Sequence, residues 1–332
     1  MTQSNHDDVL TSMKAWLKLD KKFAQATVID TWGSSPRPVG SQLIIDETGN
    51  FLGSVSGGCV EGAVVTESLS SIKDGRCRIL EYGVSNETAF AVGLSCGGNI
   101  RILVEPVGFG QGPSYSFIEK VLAYHEKRYL FGYAVDLSAW RRELFLVIDD
   151  DDRELIFGCK IPSTTKVCGD NLFFSIVKPN LKLVVVGAVH IAQTLISIAK
   201  LIGYQVILID PRSSFASIIR FPDVDIRVGW PDEVMSNLSL DKYTAVVTLS
   251  HDPKIDDMAI IESINSSIFF IGCLGSKKTH RSRIERLKLL GYNDLALAKI
   301  FGPVGLEIGS VSPSEISVAI MAQIPSVLKG KI

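Results

Sequence analysis

The chain lacks several features that would assign it to a class at once. Its 34 basic and 36 acidic residues nearly balance, and no basic stripe marks a surface for nucleic acid. No apolar run reaches the roughly 18 residues that a membrane span needs. The first eight residues are polar and acidic, unlike a secretory signal. These absences predict a cytoplasmic protein that neither binds nucleic acid nor spans a membrane.

Cysteine is scarce and irregularly spaced. The six cysteines of the 332-residue chain include no C-x-x-C pair, which excludes the common zinc-finger patterns and gives no disulfide framework. In a reducing compartment these thiols would be free for chemistry.

Two of the cysteines lie in glycine-rich segments, GSVSGGCVEG at 53–62 and GLSCGG at 93–98. Glycine lets the backbone approach a ligand closely, and the helix predicted to start after the first segment would offer N–H groups to an anion. A thiolate is both a nucleophile and a soft-metal ligand. The Cys59 segment therefore predicts a site for an anionic, thiol-seeking ligand. The alternative is a tight turn around a buried, inert cysteine.

The pattern of apolar residues changes near residue 179, which predicts two domains, 1–178 and 179–332. The first mixes helices and short strands and predicts an α+β domain with a mixed sheet. In the second, continuous apolar strands alternate with amphipathic segments, which indicates a parallel sheet covered on both faces. The predicted strands are 182–186, 205–209, 245–249 and 268–271. The expected fold class is therefore α/β, with a Rossmann-like C-terminal domain.

The strongest fold signal is the βαβ unit that starts at strand 182–186. Gly187 occupies the phosphate-turn position, and Asp210 closes the next strand about 20 residues later, as a ribose-binding carboxylate would. Val189 stands where the fingerprint has its second glycine, and a β-branched side chain there should hinder a tightly bound pyrophosphate. His190 follows at the expected helix start.

Two further polar segments should reach the same sheet edge, because ligands bind at the carboxyl ends of strands in open α/β sheets. His251 follows the strand 245–249, and a Gly-Ser-Lys-Lys turn containing Lys277 follows the strand ending at Ile271. This turn suits an anion. The basic residues of the next segment, Lys278, Arg281, Arg283 and Arg286 among them, are typical of a solvated helix face.

The glycine-rich motifs, taken together and in order, resemble the XdhC/CoxI family over nearly the whole chain. The N-terminal motifs are GSSPRP at 33–38 and the two cysteine segments; the C-terminal ones are GAVHIAQ at 187–193, TLSHD at 248–252, IGCLGSKK at 271–278 and GPVGLEIG at 302–309. Members usually carry glycine at the Val189 position, which argues further against dinucleotide binding by this chain.

The resemblance implies an accessory protein rather than an enzyme with turnover chemistry. Such proteins bind molybdenum cofactor as cargo, support its sulfuration by a cysteine desulfurase, and insert it into an apo molybdenum hydroxylase such as xanthine or carbon monoxide dehydrogenase. They are typically homodimers. A nucleotide in the Rossmann-like domain is a further expectation.

Residue chemistry and resemblance together give one hypothesis for the site. Cys59 would ligate or shield the molybdenum, Arg37 would pair with the cofactor phosphate, and the glycine loops and the edge of the Rossmann-like sheet would supply the remaining contacts. The candidate cofactor-binding residues are Cys59, Gly57, Gly58, Glu61, Arg37, Cys96, Gly97, Gly187, His190, Asp210, His251 and Lys277, with Cys59 as the candidate metal ligand.

Two alternatives stay open at this point. One is an NAD(P)-dependent oxidoreductase that uses Gly187 and Asp210. The other is a sulfur-transfer protein that works through the Cys59 thiol.

Overall fold

A computed structural model of the chain describes residues 4–33, 37–83, 98–147, 155–169 and 171–331. Contacts between Cα atoms divide the chain between Pro179 and Asn180 into two compact units. No helix in the described ranges is long and apolar enough to cross a bilayer.

The N-terminal unit is built around a five-stranded antiparallel sheet in the order β3-β2-β1-β5-β4. These strands are β1 (Phe23–Trp32), β2 (Gln42–Asp46), β3 (Phe51–Gly53), β4 (Arg78–Tyr82) and β5 (Asn99–Pro106). Helix α1 (Ser4–Lys18) precedes the sheet, and helix α2 (Glu61–Asp74) connects β3 to β4. Apolar side chains of α2 pack with β1, β2 and β5 into one core cluster.

A second antiparallel sheet follows, in the order β10-β11-β6-β7. Its strands are β6 (Phe131–Asp136), β7 (Arg142–Leu146), β10 (Lys166–Cys168) and β11 (Leu172–Val177), with a small hairpin of β8 (Leu155–Ile156) and β9 (Cys159–Lys160) between them. Helix α3 (Tyr115–Glu126) leads into this sheet. Its buried face, with apolar residues of α1, β1, β6 and β11, forms another core cluster.

The C-terminal unit holds a six-stranded parallel sheet in the order β14-β13-β12-β15-β16-β17. This is the 3-2-1-4-5-6 order of a dinucleotide-binding fold, in which the strand order reverses between the first and fourth strands. Here those strands are β12 and β15. The strands are β12 (Lys182–Val186), β13 (Gln205–Ile209), β14 (Asp225–Arg227), β15 (Thr244–Thr248), β16 (Phe270–Cys273) and β17 (Ile300–Phe301).

Helices cover both faces of this sheet. They are α4 (His190–Leu201), α5 (Pro231–Met235), α6 (Pro253–Ile264), α7 (Lys277–Leu289), α8 (Asp294–Leu297) and α9 (Pro313–Leu328). Alternate residues of β12 enter different clusters: Leu183 and Val185 pack with α4 and α9, whereas Val184 and Val186 pack with α5 and α6. A strand buried on both faces favours apolar side chains, which is why β12 is apolar from Leu183 to Val186. The predicted fold class is confirmed, and the sheets of the N-terminal unit are antiparallel.

Candidate functional site

Cys59 lies in the loop that joins β3 to α2, two residues before the first helical residue. Its side chain is half-buried and packs against the core cluster of the five-stranded sheet. Val60 is the N-cap of the helix and offers no side-chain cap. The thiol therefore sits at the positive end of α2, on the boundary between the core and the surface.

The carboxylate of Glu61, the first residue of α2, fastens this loop. One of its oxygens, Oε1, accepts hydrogen bonds from the backbone N–H groups of Val55 (3.2 Å) and Ser56 (2.9 Å) and from the Ser54 hydroxyl (2.8 Å). The other, Oε2, accepts from the Gly58 N–H (2.8 Å) and from the Ser56 hydroxyl. Glu61 is 8% exposed, so these bonds form largely out of water, where an unmade bond is costly.

The hydroxyls of Ser54 and Ser56 accept hydrogen bonds from two further backbone N–H groups of the loop. The Gly57 N–H donates to Ser54 Oγ and the Val60 N–H to Ser56 Oγ, each at 3.0 Å. Gly57 and Gly58 have φ values of 77° and 118°, which side chains of L-residues rarely adopt. A Cβ on Gly58 would meet nothing within 4 Å, so this glycine is required for its backbone angle and leaves open space beside Cys59.

The loop differs in one respect from the sequence hypothesis, which offered its N–H groups to an external anion. Three N–H groups of the glycine-rich loop, those of Val55, Ser56 and Gly58, donate instead to the protein's own Glu61. The Glu61 carboxylate thus accepts hydrogen bonds from residues on the N-terminal side of Cys59. The contact of Glu61 with the cofactor stays a prediction.

The pKa of Glu61 determines over which pH range this residue contributes to the free energy of unfolding. Burial raises this pKa, but hydrogen bonds from Ser56 and Ser54 outweigh burial and lower it from 4.5 to about 2. A lowered folded-state pKa stabilises the fold above the unfolded-state value and loses that contribution as the pH falls through the folded-state value.

We therefore predict that Glu61 stabilises the fold fully at neutral pH and loses its contribution between 4.5 and about 2. Urea unfolding of the wild type and of Glu61→Gln, measured from neutral to acid pH, checks this. The difference between the two free energies of unfolding should stay constant down to about pH 5 and shrink below it. A difference that does not change with pH would contradict the assignment of Glu61 as an ionised carboxylate that accepts the loop's hydrogen bonds.

Three further N-terminal candidates are less informative. Arg37 is half-buried. Cys96 and Gly97 lie outside the described residues. Their proposed roles toward the cofactor stay predictions.

At the edge of the C-terminal sheet, position 187 requires glycine because its backbone lies close to the backbone of Ser250. Its φ is 107°, and a Cβ on it would lie 2.6 Å from the Ser250 nitrogen, which follows the neighbouring strand β15. The expected phosphate turn therefore packs directly against the next strand's exit at the point where the strand order reverses. Val189 caps α4 with extended backbone and packs partly into the core.

Asp210 does not present its carboxylate to a ribose. It is fully buried, accepts the Ala188 N–H at 2.7 Å, and is bound by Arg212 through Nε at 2.8 Å and Nη2 at 2.7 Å. Burial raises the pKa of Asp210, but these hydrogen bonds outweigh it and hold the pKa below its usual range. Arg220 donates to the Ala188 carbonyl oxygen at 2.7 Å, so the turn after β12 is held on both sides by the protein itself.

The three remaining candidates are exposed at this edge. His190 is the first residue of α4, and its Nδ1 lies 3.2 Å from the Gln193 amide oxygen. His251 follows β15 with a φ of 63°, and Lys277 is the first residue of α7. Each follows the carboxyl end of a different parallel strand, as predicted, although their ligand contacts remain predictions.

The structure also reveals a buried charged pair that the sequence reasoning missed. Arg283 was assigned to a solvated helix face, and that was wrong: it is 2% exposed and lies 3.7 Å from Asp256, which is 1% exposed. The available signal was spacing, because Arg283 precedes the buried Leu287 by four residues and shares its face of α7.

Metal ligation by the protein alone has no basis in the described residues. Within those ranges, no group of three or more His, Cys, Asp or Glu side chains could hold a metal ion. Among the described residues, Cys59 is therefore a candidate ligand by itself.

Comparison with protein families gives two matches. The XdhC Rossmann domain matches residues 183–324, and the model described as XdhC and CoxI family matches residues 16–83. The chain belongs to the XdhC and CoxI family. The two matches fall on either side of the division at Pro179, so each unit of this family member contains one of them.

Individual relatives of this XdhC and CoxI family member align over nearly their full length. A protein of Escherichia coli (strain K12), named molybdenum cofactor insertion chaperone PaoD, is 26% identical over 326 residues, which cover 97% of this chain and 89% of that protein. A protein of Bacillus subtilis (strain 168), named as a probable xanthine dehydrogenase subunit, is 24% identical over 329 residues, which cover 95% and 96%.

One solved structure shares the fold of this XdhC and CoxI family member. A crystal structure from Bacillus halodurans, described as a xanthine dehydrogenase, superimposes with a TM-score of 0.78 and 22% sequence identity over 98% of this chain and 97% of that one. Both units thus occur together in another protein.

Proposed function

We propose that this protein is a molybdenum cofactor chaperone that inserts its cargo into a molybdenum hydroxylase of the xanthine dehydrogenase type. The observation that carries the proposal is the alignment with a molybdenum cofactor insertion chaperone over 97% of this chain. The relative named as a xanthine dehydrogenase subunit supports the class of client.

The geometry around Cys59 suits a transferable cargo. Molybdenum in this cofactor arrives with its own dithiolene sulfur ligands, so the protein needs to supply one soft ligand rather than a full cage. A single half-buried thiol next to the open space at Gly58 can do this. Because one protein ligand is easier to displace than four, the same arrangement permits release to the client.

The hydrogen bonds that the Glu61 carboxylate accepts from the 54–58 loop, which we call the Glu61 clamp, hold the thiol in place before the cargo arrives. A loop whose backbone donors are already paired loses little conformational freedom when a ligand binds. We assign Glu61 a positioning role and Cys59 the contact with the cargo.

Several finer parts of the proposal go beyond cofactor delivery. We propose that a cysteine desulfurase sulfurates the cofactor while it is held here, that the protein acts as a homodimer, and that it works in the cytoplasm. A nucleotide in the C-terminal unit is compatible with the fold, but it would have to bind without Asp210, whose carboxylate already serves Ala188 and Arg212.

Cofactor retention tests the role of Cys59. The purified protein is incubated anaerobically with released molybdenum cofactor and gel-filtered, and the co-eluting molybdenum and oxidised pterin are assayed. We expect retention by the wild type and at least a tenfold loss in Cys59→Ala, since a thiolate bond to a soft metal is removed.

Cys168→Ala is the matched control. Cys168 is also a half-buried thiol of the N-terminal unit, but it lies on β10 in the other sheet. We expect it to retain cofactor as the wild type does. Equal retention by all three proteins would remove Cys59 from the site, and no retention by the wild type would contradict the chaperone function itself.

A further inference from the structure

The C-terminal unit contains a cavity of about 270 Å³ at the carboxyl edge of its sheet. One side is formed at the start of α6 by His251, Pro253 and Asp256. The other side is a stripe along α7, made of Lys278, Thr279, Ser282, Arg283 and Arg286. We call this space the Arg283 cavity.

Arg283 is the most unusual group in its wall. The side chain is 2% exposed, and its Nη2 donates to the Leu274 carbonyl oxygen at 3.2 Å. Within the described part of the chain, Nε and Nη1 have no hydrogen-bond partner. Burying two guanidinium donors without partners is costly, so a ligand that accepts from them would be bound strongly.

Asp256 does not satisfy this arginine. Its Oδ1 accepts from the Ser250 hydroxyl at 2.6 Å and the Ser250 N–H at 3.2 Å. Oδ2 has no hydrogen-bond partner among the described residues, and the gap of 3.7 Å to Arg283 Nη2 is too long for a hydrogen bond. Burial raises the pKa of Asp256, an effect that its hydrogen bond from Ser250 and the nearby Arg283 only partly oppose. A carboxyl group with a raised pKa repels a neighbouring anion less.

Apart from His251 and Pro253, the rest of the wall is positive or hydroxylic. Lys278 is exposed at the rim. Arg286 is held by Asp257 through two bonds of 2.6 and 3.0 Å, which fixes its position and offsets its charge. The hydroxyls of Thr279 and Ser282 add donors that can turn toward an oxyanion.

We propose that the Arg283 cavity binds the phosphate group of a phosphate monoester. Arginine's planar fork matches the tetrahedral oxygens of phosphate in a bidentate manner, and Lys278 would supply the second charge. The volume is slightly below the roughly 300–1,000 Å³ of pockets for drug-sized ligands, which suits a phosphate with little more than its first esterified group.

Phosphate binding here uses none of the Cys59 loop, so it can be tested separately from cofactor retention through Cys59. Two sources of the phosphate share the same chemistry: a nucleotide, and the phosphorylated side chain of a pterin. The ligands used in the test separate these sources.

The test is calorimetric titration of the whole protein. The probes are inorganic phosphate, a nucleoside monophosphate with its unphosphorylated nucleoside, and a pterin monophosphate with its dephosphorylated form. We expect phosphorylated probes to bind and their unphosphorylated partners to bind at least tenfold more weakly. A preference for the nucleoside or the pterin monophosphate identifies the source.

Two variants place the site. Arg283→Lys keeps the charge but loses the fork, and we expect its affinity for phosphate esters to fall at least tenfold. Because Arg283 is buried, Lys278→Gln serves as the variant that leaves the core intact, and we expect a fall of about ten- to 150-fold, in the range of a charged hydrogen bond. The control is Arg281→Gln, an exposed charge on the same helix that does not line the cavity; it should bind as the wild type does.

Two results would overturn the proposal. One is that no phosphorylated probe binds the wild type more tightly than its unphosphorylated partner. The other is that Lys278→Gln and Arg281→Gln bind these probes equally well. Either result leaves cofactor retention through Cys59 untouched, so the two proposals fail separately.

Discussion

Glu61→Ala is expected to lower the free energy of unfolding by about 3–5 kcal/mol, because several hydrogen-bond donors of the loop lose their acceptor at once. The substitution removes the acceptor for three backbone N–H groups and two hydroxyls of the 54–58 loop. Each buried donor left without a partner costs about 1–3 kcal/mol, although water entering the loosened loop would recover part of it. Urea unfolding followed by circular dichroism gives the value.

Glu67→Ala is the matched control for this substitution. Glu67 lies on the same helix; its side chain is 43% exposed, and its carboxylate pairs with Arg78 at 3.1 Å. Exposed pairs contribute about 0–1 kcal/mol, so this variant should unfold nearly as the wild type does. Equal losses for the two variants would show that Glu61 acts only as a surface charge.

The same change should also affect the cargo. If Glu61 positions the thiol, Glu61→Ala should retain cofactor poorly at a temperature where it is still folded, although Cys59 itself is unchanged. Glu61→Gln keeps one acceptor oxygen and should fall between wild type and alanine. Full cofactor retention by a folded Glu61→Ala variant would show that cofactor binding does not depend on Glu61.

Gly187→Ala is expected to destabilise the C-terminal unit by about 3–5 kcal/mol, combining backbone strain of about 1–3 kcal/mol with a steric clash. At a φ of 107°, the new Cβ would lie 2.6 Å from the Ser250 nitrogen and 2.9 Å from its Cα. Backbone atoms cannot rotate away, so β12 and β15 would have to separate at their carboxyl ends. Thermal or urea unfolding of the variant checks the magnitude.

Gly291→Ala separates strain from clash. Gly291 has a similar φ of 94°, but a Cβ there would meet nothing within 4 Å. This variant should lose only about 1–2 kcal/mol, the cost of a left-handed backbone for an L-residue. If both variants lost the same free energy of unfolding, the close approach of Ser250 to Gly187 would make no contribution to the cost of Gly187→Ala.

The C-terminal fold could be predicted because its strands are recognisable in the sequence as short apolar runs. The predicted strands 182–186 and 205–209 match β12 and β13 residue for residue. After its first residue each is a continuous apolar run, as expected of a parallel strand buried on both faces. The third, 245–249, is displaced from β15 by one residue. Strand ends are set by hydrogen bonds, which sequence periodicity does not reveal.

The candidate site was less predictable, because a residue type does not reveal its partner. Glu61, Asp210 and Arg283 were each assigned from type and position, and in each case the structure gives the charge a different surrounding. Glu61 binds its own loop, Asp210 binds Ala188 and Arg212, and Arg283 turns inward near Asp256. Such contacts between residues distant in sequence depend on packing that no local pattern records.

The measurement that tests the central claim most directly is delivery. Protein loaded with molybdenum cofactor is mixed anaerobically with an apo molybdenum hydroxylase of the xanthine dehydrogenase type, and hydroxylase activity is followed over time against an equal amount of free cofactor. We predict faster and more complete activation by the loaded wild type, and activation by Cys59→Ala no better than by free cofactor. Activation by the loaded wild type that is no better than by free cofactor would contradict the claim that this protein is an insertion chaperone.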